Sequence, residues 1–244
     1  MTRLQWNVEH LDHVDSTNSW LARRARDGAR EGEVVYADFQ SAGRGRLERE
    51  WVAPVGSSLL CSVLLEPAVT SDQLQLVVVA VALSMAEALE RLSGVRPSLK
   101  WPNDLMYGDA KVAGVLAEVV GAQIVVGLGV NLMVVDPTYE SATTVLAATG
   151  VALSPLDVLD AYLAALRQRR SLLDSPEGCA SVRREFIAHL ATLGRRVRVE
   201  LAGGVLRGRA VDVTETGSLL VETDDQICVV NAGDVVHLRG EEWE

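Results

Sequence analysis

The chain is short of several residue types, and each shortage excludes a class of protein. It has three cysteines among 244 residues, and Cys61, Cys179 and Cys228 show no C-x-x-C spacing. An odd, scattered set of cysteines supports neither a disulfide framework nor a zinc site. Reduced thiols of this kind indicate a cytoplasmic protein rather than a secreted one.

A signal sequence and long apolar runs are also missing. Residues 1–18, MTRLQWNVEHLDHVDSTN, lack the apolar stretch behind a basic tip that a secretory signal has. The longest apolar stretch, residues 74–89, is too short to span a bilayer and contains Gln75, Ser84 and Glu87. The sequence therefore predicts no membrane partner and a cytoplasmic location.

Positive charge is in deficit across the whole chain. The 23 lysines and arginines face 33 aspartates and glutamates, which gives a formal net charge of −10. A nucleic-acid groove needs a broad positive field that neutralises several phosphates. We therefore expect no nucleic-acid partner, and we expect any anion bound by this chain to be small.

Lysine is nearly absent, because Lys100 and Lys111 are the only two in the chain. Both lie in the segment KWPNDLMYGDAK, in which the PND turn also supplies Asn103 and Asp104. An ammonium is a compact point charge that fits beside a reacting oxygen, whereas a guanidinium is a planar fork. Lys111 is thus a candidate catalytic cation, although a lysine that merely marks the end of a strand is the alternative.

Residues 40–51, QSAGRGRLEREW, concentrate Arg44, Arg46 and Arg49 in this acidic chain. The neighbouring glycines, Gly43 among them, let a backbone approach a ligand closely, and guanidinium forks match phosphate or carboxylate oxygens. A solvated basic turn is one alternative, and an arginine–glycine segment for RNA is another. Such RNA segments run much longer than a single GRGR, so the pattern favours a small anion.

Two further segments have the composition of a binding site. The run VVGLGVNL, residues 125–132, places Gly127, Gly129 and Asn131 on one face of a strand, where a ligand or a tightly packed neighbour would lie. The segment DSTN, residues 15–18, offers hydroxyl and amide groups at a helix start. It acts either as a helix cap or as a set of hydrogen-bonding groups for a neutral ligand.

Helix and strand patterns alternate irregularly along the first 193 residues, which favours an α+β fold over a doubly wound sheet. The predicted elements are a helix at 17–27, strands at 33–39 and 57–66, a helix at 71–93, strands at 98–101, 111–120 and 123–133, and helices at 155–173 and 179–193.

From Gly194 onward the pattern changes to short β-branched runs separated by Gly, Asp and Asn turns. Such a run of strands suits a small five-stranded barrel. The sequence therefore predicts two domains, a larger one at residues 1–193 and a small all-β one at residues 194–244.

In this order, DSTN, QSAGRGRLEREW, KWPNDLMYGDAKVAGVLAE, VVGLGVNL and the small β-region form a pattern that resembles the biotin protein ligases. The resemblance extends from about Leu11 to Arg239. It implies a catalytic domain similar to class II aminoacyl-tRNA synthetases, with a mixed or antiparallel sheet, and a C-terminal SH3-like barrel. It also implies that biotin and ATP, with Mg²⁺, give biotinyl-5′-AMP, and that biotin then passes to a lysine of a biotin carboxyl carrier domain.

The resemblance further implies roles for individual residues. The implied catalytic residues are Lys111, Arg46 and Arg44. The implied biotin-binding residues are Ser16, Thr17, Asn18, Gln40, Gly43, Arg44, Arg46, Lys111, Gly114, Gly127 and Gly129, with the glycines leaving room for the rings of biotin. The implied ATP-binding residues are Arg46, Arg49, Trp51, Lys100, Asn103, Lys111 and Asn131. Asp104 is a hypothesis for positioning either the metal or the incoming lysine.

Some members of this family carry an N-terminal DNA-binding domain and act as repressors. About ten residues precede Leu11 here, so we expect a ligase without repressor activity. The family implies either a monomer or a homodimer. Two other functions stay open on this fold, namely a lipoate protein ligase-like enzyme and a catalytically silent biotin-binding protein.

Overall fold

The computed structural model describes residues 4–47, 49–135, 139, 141–201 and 203–238. Its strands are β1 (Asn7–Val14), β2 (Glu33–Gln40), β3 (Ser58–Leu65), β4 (Ser98–Lys100), β5 (Asp104–Tyr107), β6 (Ala110–Val120), β7 (Gln123–Asn131), β8 (Arg196–Leu201), β9 (Gly204–Val213), β10 (Leu219–Glu222), β11 (Ile227–Val230) and β12 (Asp234–His237). Its α-helices are α1 (Thr17–Arg26), α2 (Leu74–Ser93), α3 (Val145–Thr149), α4 (Pro155–Leu172) and α5 (Pro176–His189).

The first seven strands form one mixed sheet in the order β1-β2-β3-β7-β6-β5-β4. Strand β1 pairs with β2 in parallel, and every other pairing in this sheet is antiparallel. The irregular mixture of helices and antiparallel strands confirms the predicted α+β class. The two long β-strands of the VVGLGVNL hairpin, β6 and β7, lie in the middle of the sheet.

The two faces of this sheet are covered by different helices. On one face, Leu21 of α1 packs with Val35, Leu64 and Val125. On the other face, the alternate residues of the same strands pack in the main core with α2, α4 and α5. Period-two alternation in the strands thus sorts the apolar side chains between two layers. Helix α2 is buried without interruption from Leu76 to Ala86 and ends at Gly94 in the left-handed conformation.

The C-terminal strands form a separate antiparallel sheet in the order β11-β10-β9-β8-β12. We call residues 194–238 the β-module. Its buried valines belong to the same apolar core as helix α2. Trp101 joins the two parts, because its Nε1 donates to the Gly217 carbonyl at 3.0 Å and its backbone N–H donates to Thr192 Oγ1 at 3.0 Å. The predicted division at residue 193 stays a prediction, and residues 1–3 and 239–244 lie outside the described part.

Several element predictions differ from the structure. Strands β1 and β5 and helix α3 were not predicted; β1 is an exposed edge strand rich in polar residues and has no apolar alternation. Helix α5 begins at Pro176 and ends at His189, not at 179 and 193. Its start repeats the Ser–Pro cap signal of α4, because Ser175 accepts a hydrogen bond from the Gly178 N–H.

Among the described helices, none combines the length and the apolar character that a bilayer crossing needs.

Candidate active site

One cavity of about 260 Å³ brings most of the predicted site residues together. It lies between the start of α1, the arginine loop at residues 40–52, the middle of strands β6 and β7, and the start of β12. The predicted residues that line it are Ser16, Thr17, Asn18, Gln40, Arg44, Arg46, Arg49, Trp51, Asn103, Asp104, Lys111, Gly114, Gly127, Gly129 and Asn131.

Two predicted residues do not line the cavity. Gly43 packs directly against the backbone of Trp51 within the arginine loop, because an added Cβ would lie 2.3 Å from the Trp51 carbonyl oxygen. Lys100 pairs with Asp104 across the β4–β5 hairpin but stays outside the lining. Its positive charge acts on His237 instead, whose pKa is lowered to about 4 by burial and then by Lys100. The structure therefore does not bring Lys100 to the cavity.

The start of α1 forms a buried hydrogen-bonding end of the cavity. Ser16 caps the helix, and its side chain accepts from the Ser19 N–H. The backbone N–H of Thr17 donates to Gln40 Oε1 at 2.8 Å. Ser62 Oγ lies 2.8 Å from Thr17 Oγ1 and 2.6 Å from Asn18 Oδ1. These neutral groups form a connected network that can recognise an uncharged polar ring.

The glycines of β6 and β7 make room for protein side chains. An added Cβ at Gly127 would lie 2.1 Å from Asn18 Oδ1, and one at Gly129 would lie 2.4 Å from Trp51 Cε2. Gly114 pairs directly with Gly129, and the same indole lies over both. Asn18 and Trp51 thus lie directly against Gly127 and Gly129, while Gly114, Gly127 and Gly129 all line the cavity, so the expectation that they leave room for the rings of biotin stays a prediction. Because Gly127 and Gly129 have no side chain, Asn18 and Trp51 can lie directly against the strand.

A β-bulge aims Lys111 into the cavity. Met106 pairs with Lys111 and Leu105 pairs with Ala113, so one extra residue of β6 lies between the two pairs. Regular alternation would place Lys111 and Gly114 on opposite faces, because they are three residues apart. The extra residue puts them on the same face. An added Cβ at Gly114 would accordingly lie 3.0 Å from Lys111 Nζ.

Lys111 is paired within the cavity. Its Nζ lies 2.6 Å from Asp104 Oδ1 and 5.6 Å from the centroid of the Trp51 ring. The Trp51 Nε1 is buried and has no hydrogen-bond partner within the part of the chain that the structure describes. A buried donor without a partner is costly, so a ligand acceptor at this position would relieve the cost.

Arg44 begins the cationic wall of the cavity. Its backbone forms an isolated bridge to Glu50, and its Nη2 lies 2.6 Å from Glu118 Oε2. Glu118 also accepts from Asn18 Nδ2 at 2.8 Å. Glu118 and Ser62 were not predicted from the sequence. A signal was present, because Glu118 lies on the same face of β6 as Gly114, and Ser62 pairs with Gly127 in a largely apolar strand.

Arg46 and Arg49 connect the arginine loop to the β-module. Arg46 donates from Nη1 to Asn103 Oδ1 and from Nη2 to the Gly233 carbonyl, both at 3.1 Å. Burial lowers the pKa of Arg46. Arg49 Nη2 lies 2.5 Å from Asp234 Oδ2, and this hydrogen bond raises the pKa of Arg49. The β-module thus contributes Asp234 to the cavity wall, which no sequence motif had indicated.

The two asparagines hold the cavity wall through backbone contacts. Asn103 Nδ2 donates to the Val115 carbonyl at 2.7 Å, and the buried Asn131 donates to the Thr143 carbonyl at 3.2 Å. Both amides therefore connect a strand to an adjacent loop and still line the cavity.

Comparison with known proteins places this arrangement in a class of ligases. Residues 11–131 match the Biotin/lipoate A/B protein ligase family, and residues 192–238 match the Biotin protein ligase C terminal domain. The chain is 34% identical to "Biotin--[acetyl-CoA-carboxylase] ligase" of Mycobacterium tuberculosis, over 95% of this chain and 89% of that one. The protein of the same name from Paracoccus denitrificans is 32% identical, over 92% of this chain and 98% of the other.

A solved structure agrees with these matches. The biotin protein ligase from Aquifex aeolicus in complex with biotin and ATP is 30% identical, with a TM-score of 0.79, 96% coverage of this chain and 99% of that chain. The chain belongs to the biotin protein ligase family. The resemblance seen in the sequence is thereby confirmed, together with the mixed-sheet domain and the separate C-terminal sheet.

Proposed function

We propose that this protein is an ATP-dependent biotin ligase that forms biotinyl-5′-AMP and then transfers biotin to a lysine of a biotin carboxyl carrier domain. The observation that carries the proposal is one cavity with a neutral hydrogen-bonding end and a wall of four cations, Arg44, Arg46, Arg49 and Lys111. Relatives of similar length are named as biotin–[acetyl-CoA-carboxylase] ligases. Their name also supports a carboxylase as the acceptor.

The first half-reaction requires concentrated positive charge. A carboxylate oxygen of biotin attacks the α-phosphorus of ATP, the bond to the bridging oxygen breaks, and pyrophosphate leaves. Two anions must approach each other, so cations fixed at the reacting oxygens stabilise the transition state. Lys111 is suited to the reacting oxygens because the β6 bulge aims it into the cavity. Arg46 is suited to the phosphates because two protein contacts already fix its fork.

The neutral end of the cavity suits the ureido ring of biotin. That ring offers both N–H donors and a carbonyl acceptor, which buried hydroxyl and amide groups can match. Ser16, Thr17 and Gln40 supply such groups from the network at the start of α1. The dithiolane ring of lipoate offers no comparable donors, so the same network favours biotin over lipoate.

The chemistry of the cavity also fits Mg²⁺. This ion binds through one or two carboxylates together with substrate phosphates, and Asp104 presents a carboxylate in the cavity wall. Asp104 would hold the ion, which would supply charge neutralisation on the phosphates. A cluster of ligand-type residues elsewhere, His10, Asp12 and Asp38, does not line the cavity.

The second half-reaction moves biotin to the acceptor. The lysine amine of the carrier domain attacks the carbonyl carbon of the mixed anhydride, and AMP leaves. Closure of the arginine loop over the adenylate would keep water from the anhydride. Asp104, which lines the cavity, would also help to position the incoming lysine amine. We expect a cytoplasmic protein, present as a monomer or homodimer, that modifies the carrier without nucleic acid or membrane.

Exchange of labelled pyrophosphate into ATP tests the proposal, because it isolates the first half-reaction from the acceptor. We expect exchange that requires biotin and Mg²⁺, is absent with lipoate, and is lost in Lys111→Ala. Exchange with lipoate alone would support the lipoate ligase instead. Biotin binding without exchange, in folded protein supplied with Mg²⁺, would support a silent biotin-binding protein.

A further inference from the structure

Glu118 lies beside the ligand cavity without lining it, yet it contacts both ends of the cavity wall. Its Oε2 lies 2.6 Å from Arg44 Nη2 and 2.8 Å from Asn18 Nδ2. We propose that Glu118 is a positioning residue, which fixes Arg44 of the cationic wall and Asn18 of the neutral end through one carboxylate oxygen. This inference rests on the proposed function, because it concerns the same substrates.

The fold gives Glu118 a fixed base. It lies on β6, four residues beyond Gly114 and therefore on the same face, and its backbone pairs with Val125 of β7 in the middle of the sheet. Arg44, in contrast, lies on a loop whose local pairing is the single bridge to Glu50. The carboxylate thus connects a cation on a loop to a strand in the middle of the sheet. A side chain ordered before binding loses less conformational entropy when the ligand arrives.

Asn18 is fixed from two sides, and Glu118 contributes to the orientation of its amide. The side chain is 3% exposed and fills the space left by the missing Cβ of Gly127. Its Oδ1 accepts from Ser62 Oγ at 2.6 Å, and its Nδ2 donates to Glu118. Its Nδ2 also donates to the Leu116 carbonyl at 3.3 Å. A carboxylate and a carbonyl only accept, so both require the NH₂ group on their side and leave the amide oxygen for Ser62. The Glu118 carboxylate, with the shorter of these two contacts, therefore helps to hold the amide orientation that the neutral network depends on.

An isolated surface ion pair would not have this effect. The side chains of Arg44 and Glu118 are 44% and 30% exposed, and such pairs contribute little by themselves. The buried contact with Asn18 distinguishes Glu118 from that case. Because one oxygen serves both partners, loss of the carboxylate group affects the cationic wall and the neutral end together, whereas loss of its charge alone affects mainly Arg44.

The test is biotin affinity by calorimetry without ATP, combined with a double-mutant cycle. Glu118→Gln keeps an acceptor for Asn18 but removes the charge that faces Arg44. We expect it to weaken biotin binding about fivefold, as loss of one partly exposed charged contact does. In an Arg44→Ala background the same change should weaken binding less than twofold. Glu118→Ala, which loses both contacts, should weaken binding in that background as well.

Kinetics and a matched control complete the experiment. In pyrophosphate exchange, Glu118→Gln should raise the KM for biotin about fivefold and change kcat less than twofold. Glu222→Gln, at an exposed acid on β10, should match the wild type in both assays.

Unchanged biotin affinity in Glu118→Gln, or full additivity with Arg44→Ala, would overturn the inference while leaving the ligase proposal intact. A wild type that does not bind biotin would overturn the proposed function itself. If Glu118→Gln does not fold, Glu118→Ala takes its place, and the inference is then overturned if Glu118→Ala weakens biotin binding equally in the wild-type and Arg44→Ala backgrounds.

Discussion

The ammonium of Lys111 lies 2.6 Å from the carboxylate of Asp104, so the only lysine lining the cavity is paired before any substrate binds. The same holds for the arginines, which contact Glu118, Asn103 and Asp234. Each cation of the wall therefore has a protein acceptor that a substrate anion must replace or join. Such pairing orients the cations and reduces the repulsion among four like charges around one cavity.

Replacement of Lys111 by arginine should abolish catalysis while sparing biotin affinity. The guanidinium is larger and planar, and Nζ already lies 3.0 Å from the Cβ position that Gly114 leaves empty. A displaced charge stabilises the transition state less while still attracting the substrate carboxylate. We therefore expect at least a 100-fold fall in the exchange rate. Biotin affinity by calorimetry should change less than tenfold.

Arg26→Ala, at the exposed end of α1, removes a cation far from the cavity and serves as the control. Its exchange rate should equal that of the wild type. A Lys111→Arg variant with exchange within tenfold of the wild type would show that any cation suffices at this position.

Gly129→Ala should displace Trp51 from the cavity wall. The added methyl would lie 2.4 Å from the indole Cε2, closer than side chains pack, so the ring must move. We expect a loss of about 1–3 kcal/mol in the free energy of unfolding and at least a tenfold rise in the KM for biotin. Urea denaturation and pyrophosphate exchange measure the two quantities.

The control for this substitution is Gly203→Ala, where an added Cβ meets no atom within 4 Å. It should leave the KM unchanged. If Gly129→Ala also leaves the KM unchanged, the position of Trp51 over the paired glycines has no role in substrate binding.

The sequence predicted the central elements and most of the cavity because these depend on local patterns. The hairpin of β6 and β7 follows from apolar alternation around a Gly–Ala turn, and the site residues lie in compact motifs. The face reached by Lys111 could not be predicted, because it depends on a bulge opposite β5, and β5 itself begins at the residue that had been assigned to a turn. Contacts such as Arg49–Asp234 join residues 185 positions apart, and no local pattern encodes them.

The contact between Arg49 and Asp234 should restrain the arginine loop. Arg49 is largely exposed, so the pair contributes no more than about 1 kcal/mol. Asp234→Asn should therefore raise amide hydrogen exchange in residues 44–49 by up to about fivefold, with little change in the melting temperature. Asp225→Asn, in the exposed turn between β10 and β11, is the control and should leave loop exchange unchanged. Equal exchange in Asp234→Asn and the wild type would mean that the other contacts of the loop, those of Arg44 and Arg46 among them, hold it without this pair.

Protonation of His237 should weaken the junction between the two parts of the protein. Burial, followed by the charges of Lys100 and Arg195, lowers the pKa of His237 from 6.5 to about 4, and its Nε2 lies 3.1 Å from Thr192 Oγ1. Between pH 6.5 and 4 the unfolded chain binds this proton more readily than the folded one, so stability falls as the pH falls through that window. From pH 7 to pH 5 we expect this residue to lower the free energy of unfolding by about 2 kcal/mol.

The carboxylates titrate over part of the same range, so a comparison of variants must isolate the contribution of His237. Urea denaturation at pH 7 and pH 5 should show a pH-dependent loss that is about 2 kcal/mol smaller in His237→Gln than in the wild type. His13→Gln, on the exposed strand β1, should keep the wild-type loss. An equal loss in His237→Gln and the wild type would mean that His237 is protonated in the folded protein at pH 5. In that case its partly buried place beside Thr192 would not exclude the charge.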